Sequence, residues 1–144
     1  MSKSLEVERL AAELGFAAVK FLDSDFVVLH GKTKTSLLKE IHTARQKRLK
    51  TLFQADSEEM LRFMLEKSDV DIICGMETLH PKNSTHFVRG GLDQVLCTLA
   101  AKNKKTLAFS FHELLHSVKR EQLLERMRFN MKLCRKYKVG MLLG

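Results

Sequence analysis

The 144 residues carry 25 Lys and Arg against 17 Asp and Glu, a formal net charge of +8 and a pI near 9.6. With 44% hydrophobic residues the chain can bury a real core, in one domain over 1–144, and its longest apolar runs fall far short of the roughly twenty residues that span a bilayer. This excludes a disordered chain and a helical membrane span, and makes a polyanion, nucleic acid first, the expected partner.

Ser2-Lys3-Ser4 leads straight into an amphipathic segment with Glu6, Glu8 and Arg9, so no signal pattern is read and the expected location is cytoplasmic, or nuclear or nucleolar in a eukaryote. Leu5, Leu10, Ala11 and Leu14 recur at helical spacing, with Gly15 as the C-terminal cap. Two short apolar strands, 16–22 and 26–29, flank the turn Asp23-Ser24-Asp25. Leu37, Leu38, Ile41, Ala44 and Leu49 continue as a helix with a basic outer face, and 51–54 is a strand. Ser57 caps a helix over Met60, Leu61, Met64 and Leu65, with Glu58 and Glu59 at its positive end. The apolar run 70–74 suits a parallel strand buried on both faces.

A loop over 75–89 holds the only proline, Pro81. Helix 92–102, strand 106–111, a helical turn 112–117, helix 120–137 and strand 139–143 follow. Six strands alternating mostly with helices predict a parallel sheet with right-handed crossovers. Cys74, Cys97 and Cys134 are odd in number and set among apolar residues, so they read as reduced core thiols.

His112-Glu113-Leu114-Leu115-His116 has the zinc-protease spacing, two His one helical turn apart with a Glu between. No His follows to complete a ligand set, and Lys119 and Gln122 stand where an extended motif needs Gly and His. His30, Asp71, Glu77, His80 and His86 are expected near the C-terminal ends of strands, where barrel enzymes place their sites. They keep a small metal-dependent phosphoesterase open as an alternative, without the closely spaced first-strand His pair such enzymes use. No catalytic and no metal-binding residue is assigned. Arg89-Gly90-Gly91 precedes a helix and fits a phosphate cradle or a tight turn equally.

The strongest signal is the helix over 120–137. Leu123 or Leu124, Met127, Met131 and Cys134 form its apolar stripe. Arg128, Lys132 and Arg135 fall at i, i+4, i+7 as one cationic ridge, joined by Arg126, Lys136 and Lys138, with Lys104 and Lys105 on a neighbouring turn. These eight and Arg89 are the expected RNA contacts. The few aromatic residues are expected inside, so backbone and shape recognition of folded RNA is favoured over base stacking.

Val88-Arg89-Gly90-Gly91-Leu92-Asp93-Gln94-Val95-Leu96-Cys97, then Phe109-Ser110-Phe111, then Arg126-Met127 through Asn130 into Leu133-Cys134-Arg135-Lys136-Tyr137-Lys138-Val139, carry a family resemblance. The chain resembles ribonuclease P protein component three of archaea, the thirty-kilodalton-type subunit of eukaryotes. The resemblance implies an α/β, TIM-barrel-like (PHP-like) parallel barrel; this chain is expected to be either a version incomplete at both ends, a minimal natural form or an open fragment of it. It also implies a subunit of the ribonucleoprotein endonuclease (a hydrolase) that removes the 5′ leader of precursor tRNA. In such a complex catalysis belongs to the RNA subunit and its Mg²⁺, and the protein alone is not catalytic and binds no cofactor. The implied partners are ribonuclease P RNA, other protein subunits, component two above all, and precursor tRNA indirectly.

Overall fold

The computed structural model describes residues 3–15 and 26–144. In chain order the elements are α1 (Lys3–Glu13), β1 (Phe26–Val28), α2 (Lys34–Gln46), β2 (Lys50–Gln54), α3 (Glu58–Lys67), β3 (Ile72–Cys74), a 3₁₀ turn (Met76–Thr78), α4 (Gln94–Lys102), β4 (Thr106–Phe109), α5 (Phe111–His116), α6 (Arg120–Lys136) and β5 (Gly140–Leu143). The expected strand 16–22 and the turn after it lie outside the described residues.

The strands form one parallel sheet in the order β1-β2-β3-β4-β5. Sequential order with crossovers of one hand places the connecting helices on one face, unlike a doubly wound sheet, whose order reverses. Accordingly α2 packs on β2, α3 against α4, α4 against α6, and α6 on β5. Phe53, Ile73, Leu107 and Met141 share a row of the register and meet the helices' apolar stripes: Leu37 and Ile41 of α2, Leu61, Met64 and Leu65 of α3, Cys97 and Ala100 of α4. Neighbouring rows, such as Leu52, Ile72, Thr106 and Gly140, point to the other face by the period-two alternation of strands. The sheet is α/β and open among the described residues.

Local chemistry sets the boundaries. Ser57 accepts from the Met60 N–H at 3.2 Å and starts α3. The carboxylate of Asp93 accepts from the Leu96 N–H at 2.8 Å, so α4 begins at Gln94 and Leu92 is buried ahead of it. Ser110 caps α5 in the same manner and ends β4 at Phe109, which moves Phe111 from strand to helix. Asp71 proves to stand at the start of β3, not its C-terminal end; its carboxylate accepts from the Thr51 N–H at 2.9 Å and Oγ1 at 3.1 Å. That carboxylate is a clamp between neighbouring strands.

Candidate nucleic-acid interface

On α6 the buried positions are Leu123, Arg126, Met127, Asn130 and Cys134. The inward stripe therefore contains two polar residues, and Leu124 turns outward. Arg128, Lys132, Arg135 and Lys136 occupy the exposed faces, with Lys138 just beyond the helix and Lys104 on the turn after α4. Among the described residues no carboxylate lies within ion-pair distance of these six. The ridge is thus uncompensated positive charge on a rigid helix.

Two cations expected at the surface are inside. Arg126 is 3% exposed. Its Nε–H donates to Asn83 Oδ1 at 2.9 Å, and Nη1 donates to the carbonyls of Glu77, at 2.9 Å, and His80. Burial pulls this guanidinium down from its ordinary pKa, and the neighbouring Arg89 adds to the effect. Lys105 is 6% exposed, its Nζ donating to the carbonyls of Ser68 and Val70. Arg126 fastens the loop between β3 and α4, and Lys105 fastens the turn before β3. A phosphate cannot reach either head group without unpacking those carbonyls.

Arg89 is half-buried, its N–H held by Asn83 Oδ1 at 3.1 Å. The two glycines after it serve close packing. A Cβ on Gly90 would collide with the Asn130 side chain, and Gly91, at φ +90°, lies against the Met76 backbone. The Asp93 carboxylate already fills the end of α4, where a phosphate would be repelled. Asn130, absent from the expected apolar stripe, lies seven residues after Leu123 and is fully buried.

At the C-terminal ends of β3 and β4 a cleft of about 410 Å³ is lined by Glu77, His80, Glu113, His116, Lys119 and Arg126 among others. Burial raises the Glu77 carboxyl above the usual range, with Glu113 adding to it. His80 Nε2 lies 2.7 Å from Glu58 Oε1. His112 and His116 are exposed on a six-residue helix, ring centroids 4.3 Å apart. Among the described residues no three His, Cys, Asp or Glu side chains come together as a metal-ligand group. Burial pushes the Cys74 thiol up to about 11, which makes it a poor nucleophile. Aromatic residues are less internal than expected: Phe53 and Phe109 are buried, but Phe87 is 64% exposed and Phe111 and Phe129 are exposed too.

No protein-family model and no curated protein matches the sequence. Among solved structures the chain is similar to one from "cryo-EM structure of archaeal Ribonuclease P with mature tRNA", with a TM-score of 0.69 and 22% sequence identity. The match covers 99% of this chain and 58% of that one, so the chain spans somewhat more than half of the length of its structural neighbour and shares its fold over that span.

Proposed function

We propose that the chain is a protein subunit of ribonuclease P, the component-three type, that binds and stabilises the catalytic RNA. The observation that carries the reading is the fold likeness across nearly the whole chain to a protein in an archaeal ribonuclease P complex. The unpaired ridge of Arg128, Lys132 and Arg135 supports it, because an electrostatic surface without compensating acids fits a phosphate backbone. In this reading the five strands are an arc of a barrel, the catalytic chemistry is the RNA's with its Mg²⁺, and component two is the neighbouring protein. Its place is the cytoplasm, or the nucleus in a eukaryote.

The test is salt-dependent binding to ribonuclease P RNA. Changing Arg128, Lys132 and Arg135 together to Gln should weaken binding and flatten the slope of log K against log salt by roughly two to three units, while the melting temperature holds. An unchanged slope would reduce the ridge to a solvated face. The same preparation, dialysed, separates this reading from a metal-dependent phosphoesterase. Stoichiometric metal with phosphoesterase activity in the protein alone would overturn the proposal.

A further inference from the structure

Three of the turns that lead from helix to strand end alike. Arg48 after α2, Lys104 after α4 and Lys138 after α6 have φ of 57°, 54° and 57°, and they are the non-glycine residues with positive φ among those described. Their hydrogen bonds repeat as well. The Arg48 N–H donates to Arg45 O at 2.9 Å and the next N–H, of Leu49, to Ala44 O at 3.0 Å; the equivalent pairs after α4 are 3.2 and 2.8 Å, and after α6 3.4 and 2.8 Å. This is the Schellman termination, whose left-handed position is usually glycine because a Cβ crowds the backbone there. The chain does place glycine in this conformation after α1, at Gly15.

A cation near a helix C-terminus is favoured by the helix dipole, but that preference is met anywhere in the last turn. It does not account for a long basic side chain at each of these three left-handed positions. Their placement supplies a second observation. The register sets Thr106 beside Gly140 and Leu52 in the same row two strands away, so all three turns lie along the edge where the strands begin. Lys47, Lys102 and Lys136 stand beside them, all exposed. The acids at this edge are already engaged: Asp69 with Arg45 at 3.0 Å, Asp71 with Lys50 at 3.5 Å, Glu66 with Arg62 at 3.7 Å. None of the exposed large hydrophobic residues falls within these three turns, which disfavours a protein partner. Where the strands end, Asp56, Glu58, Glu59, Glu77 and Glu113 offset Lys32, Lys34, Lys82, Lys119 and Arg120, so the unbalanced positive charge lies where the strands begin.

We propose that the edge where the strands begin is a track for the phosphate backbone of a folded RNA, with Arg48, Lys104 and Lys138 at its centre. The proposal rests on the RNA-binding reading above and adds to it a face, opposite the one a barrel enzyme uses, and the cations after α2. Glycine supplies the test, because it suits these left-handed turns and takes away the basic side chain, while the charge-keeping variant below isolates the charge. The variant Arg48→Gly, Lys104→Gly, Lys138→Gly should keep or raise the melting temperature. It should bind a labelled mixed-sequence RNA hairpin about tenfold or more weakly near 0.1 M salt, with a salt slope reduced by roughly two to three units. Arg48→Lys, Lys104→Arg, Lys138→Arg keeps the charge and should bind as the parent does.

Parent-like binding and slope in the glycine variant, with the Arg128–Lys132–Arg135 variant weakened, would overturn the track and leave the RNA-binding reading standing. Parent protein that ignores the hairpin and ribonuclease P RNA alike sinks both. Polyglutamate binding that the glycine variant loses while RNA binding stays intact would assign the edge to an acidic protein instead.

Discussion

The Asn130 Nδ2–H donates to the Gly90 carbonyl at 2.6 Å, joining the middle of α6 to the turn before α4 across 40 residues of chain. Asn130 is fully buried, and Gly90 leaves it room that a Cβ would occupy. The Gly-Gly turn and the long helix are therefore one packing unit.

Asn130→Ala should destabilise the protein by about 1–3 kcal/mol, the cost of leaving a buried carbonyl without its donor. Gly90→Ala attacks the same contact from the other side. In the double variant the two losses should add to less than their sum, because either change alone breaks the bond. Urea unfolding with all four proteins measures the coupling; full additivity would show that the two residues act independently.

Arg126 should report as a stability residue and not as an RNA contact. Its guanidinium serves two carbonyls and Asn83 Oδ1, a fork that an ammonium cannot reproduce. Arg126→Lys should lower stability by about 1.5–3 kcal/mol, the range for hydrogen bonds to charged groups. The salt slope for RNA should stay that of the parent, in contrast to the Arg128–Lys132–Arg135 variant. A slope change of about one unit with unchanged stability would return Arg126 to the interface.

How much of this was legible in the sequence follows from how local each signal is. Ser57, with acids behind it and apolar residues at helical spacing, specifies a helix start within a few residues, and α3 begins there. The ridge was legible because Arg128, Lys132 and Arg135 are fixed relative to one another by helix geometry alone. Arg126 lies three residues from Leu123 and falls on the inward stripe, yet a basic residue is assigned outward unless its carbonyl partners are known. Those partners sit 46 and 49 residues away, on a loop whose course periodicity does not encode. The same holds for Lys105, buried by carbonyls 35 and 37 residues distant. Phe87 stood apart for the opposite reason: nothing in a loop sequence marks an aromatic side chain as exposed.

Glu77 should make stability fall with rising pH. Burial raises its folded-state carboxyl pKa above the unfolded value, near 4.3, so the folded state holds the proton more tightly. Below about pH 4 both states are protonated and nothing is lost. As pH climbs through the unfolded and then the folded value, the unfolded state ionises first and the protein loses stability. Glu77→Gln cannot ionise, so it should be more stable than the parent at neutral pH, and the difference should vanish near pH 4 and below. Thermal unfolding of both proteins across that range checks the sign. A difference that grows toward acid pH would mean that Glu77 is charged and paired in the fold.

The outer edge of β5 should make the free protein self-associate. Among the described residues β5 pairs with β4 alone, in the register Ala108 to Leu142 and Phe109 to Leu143, which leaves the N–H and C=O groups of its far side without a neighbouring strand. Such an edge is a template for another chain, and a lysine on it is a common deterrent. Leu142 is half-buried and lies outside the helix-packed core, so Leu142→Lys should lessen association with little effect on folding. Adding component two or ribonuclease P RNA should replace the self-associated form with a defined complex of higher melting temperature. Ligand at a hundredfold excess over Kd stabilises the folded state by about 2.7 kcal/mol. Light scattering and thermal unfolding decide it. A parent protein that is monomeric at every concentration, with a melting temperature indifferent to both partners, removes the edge as an assembly surface and the proposed subunit role with it.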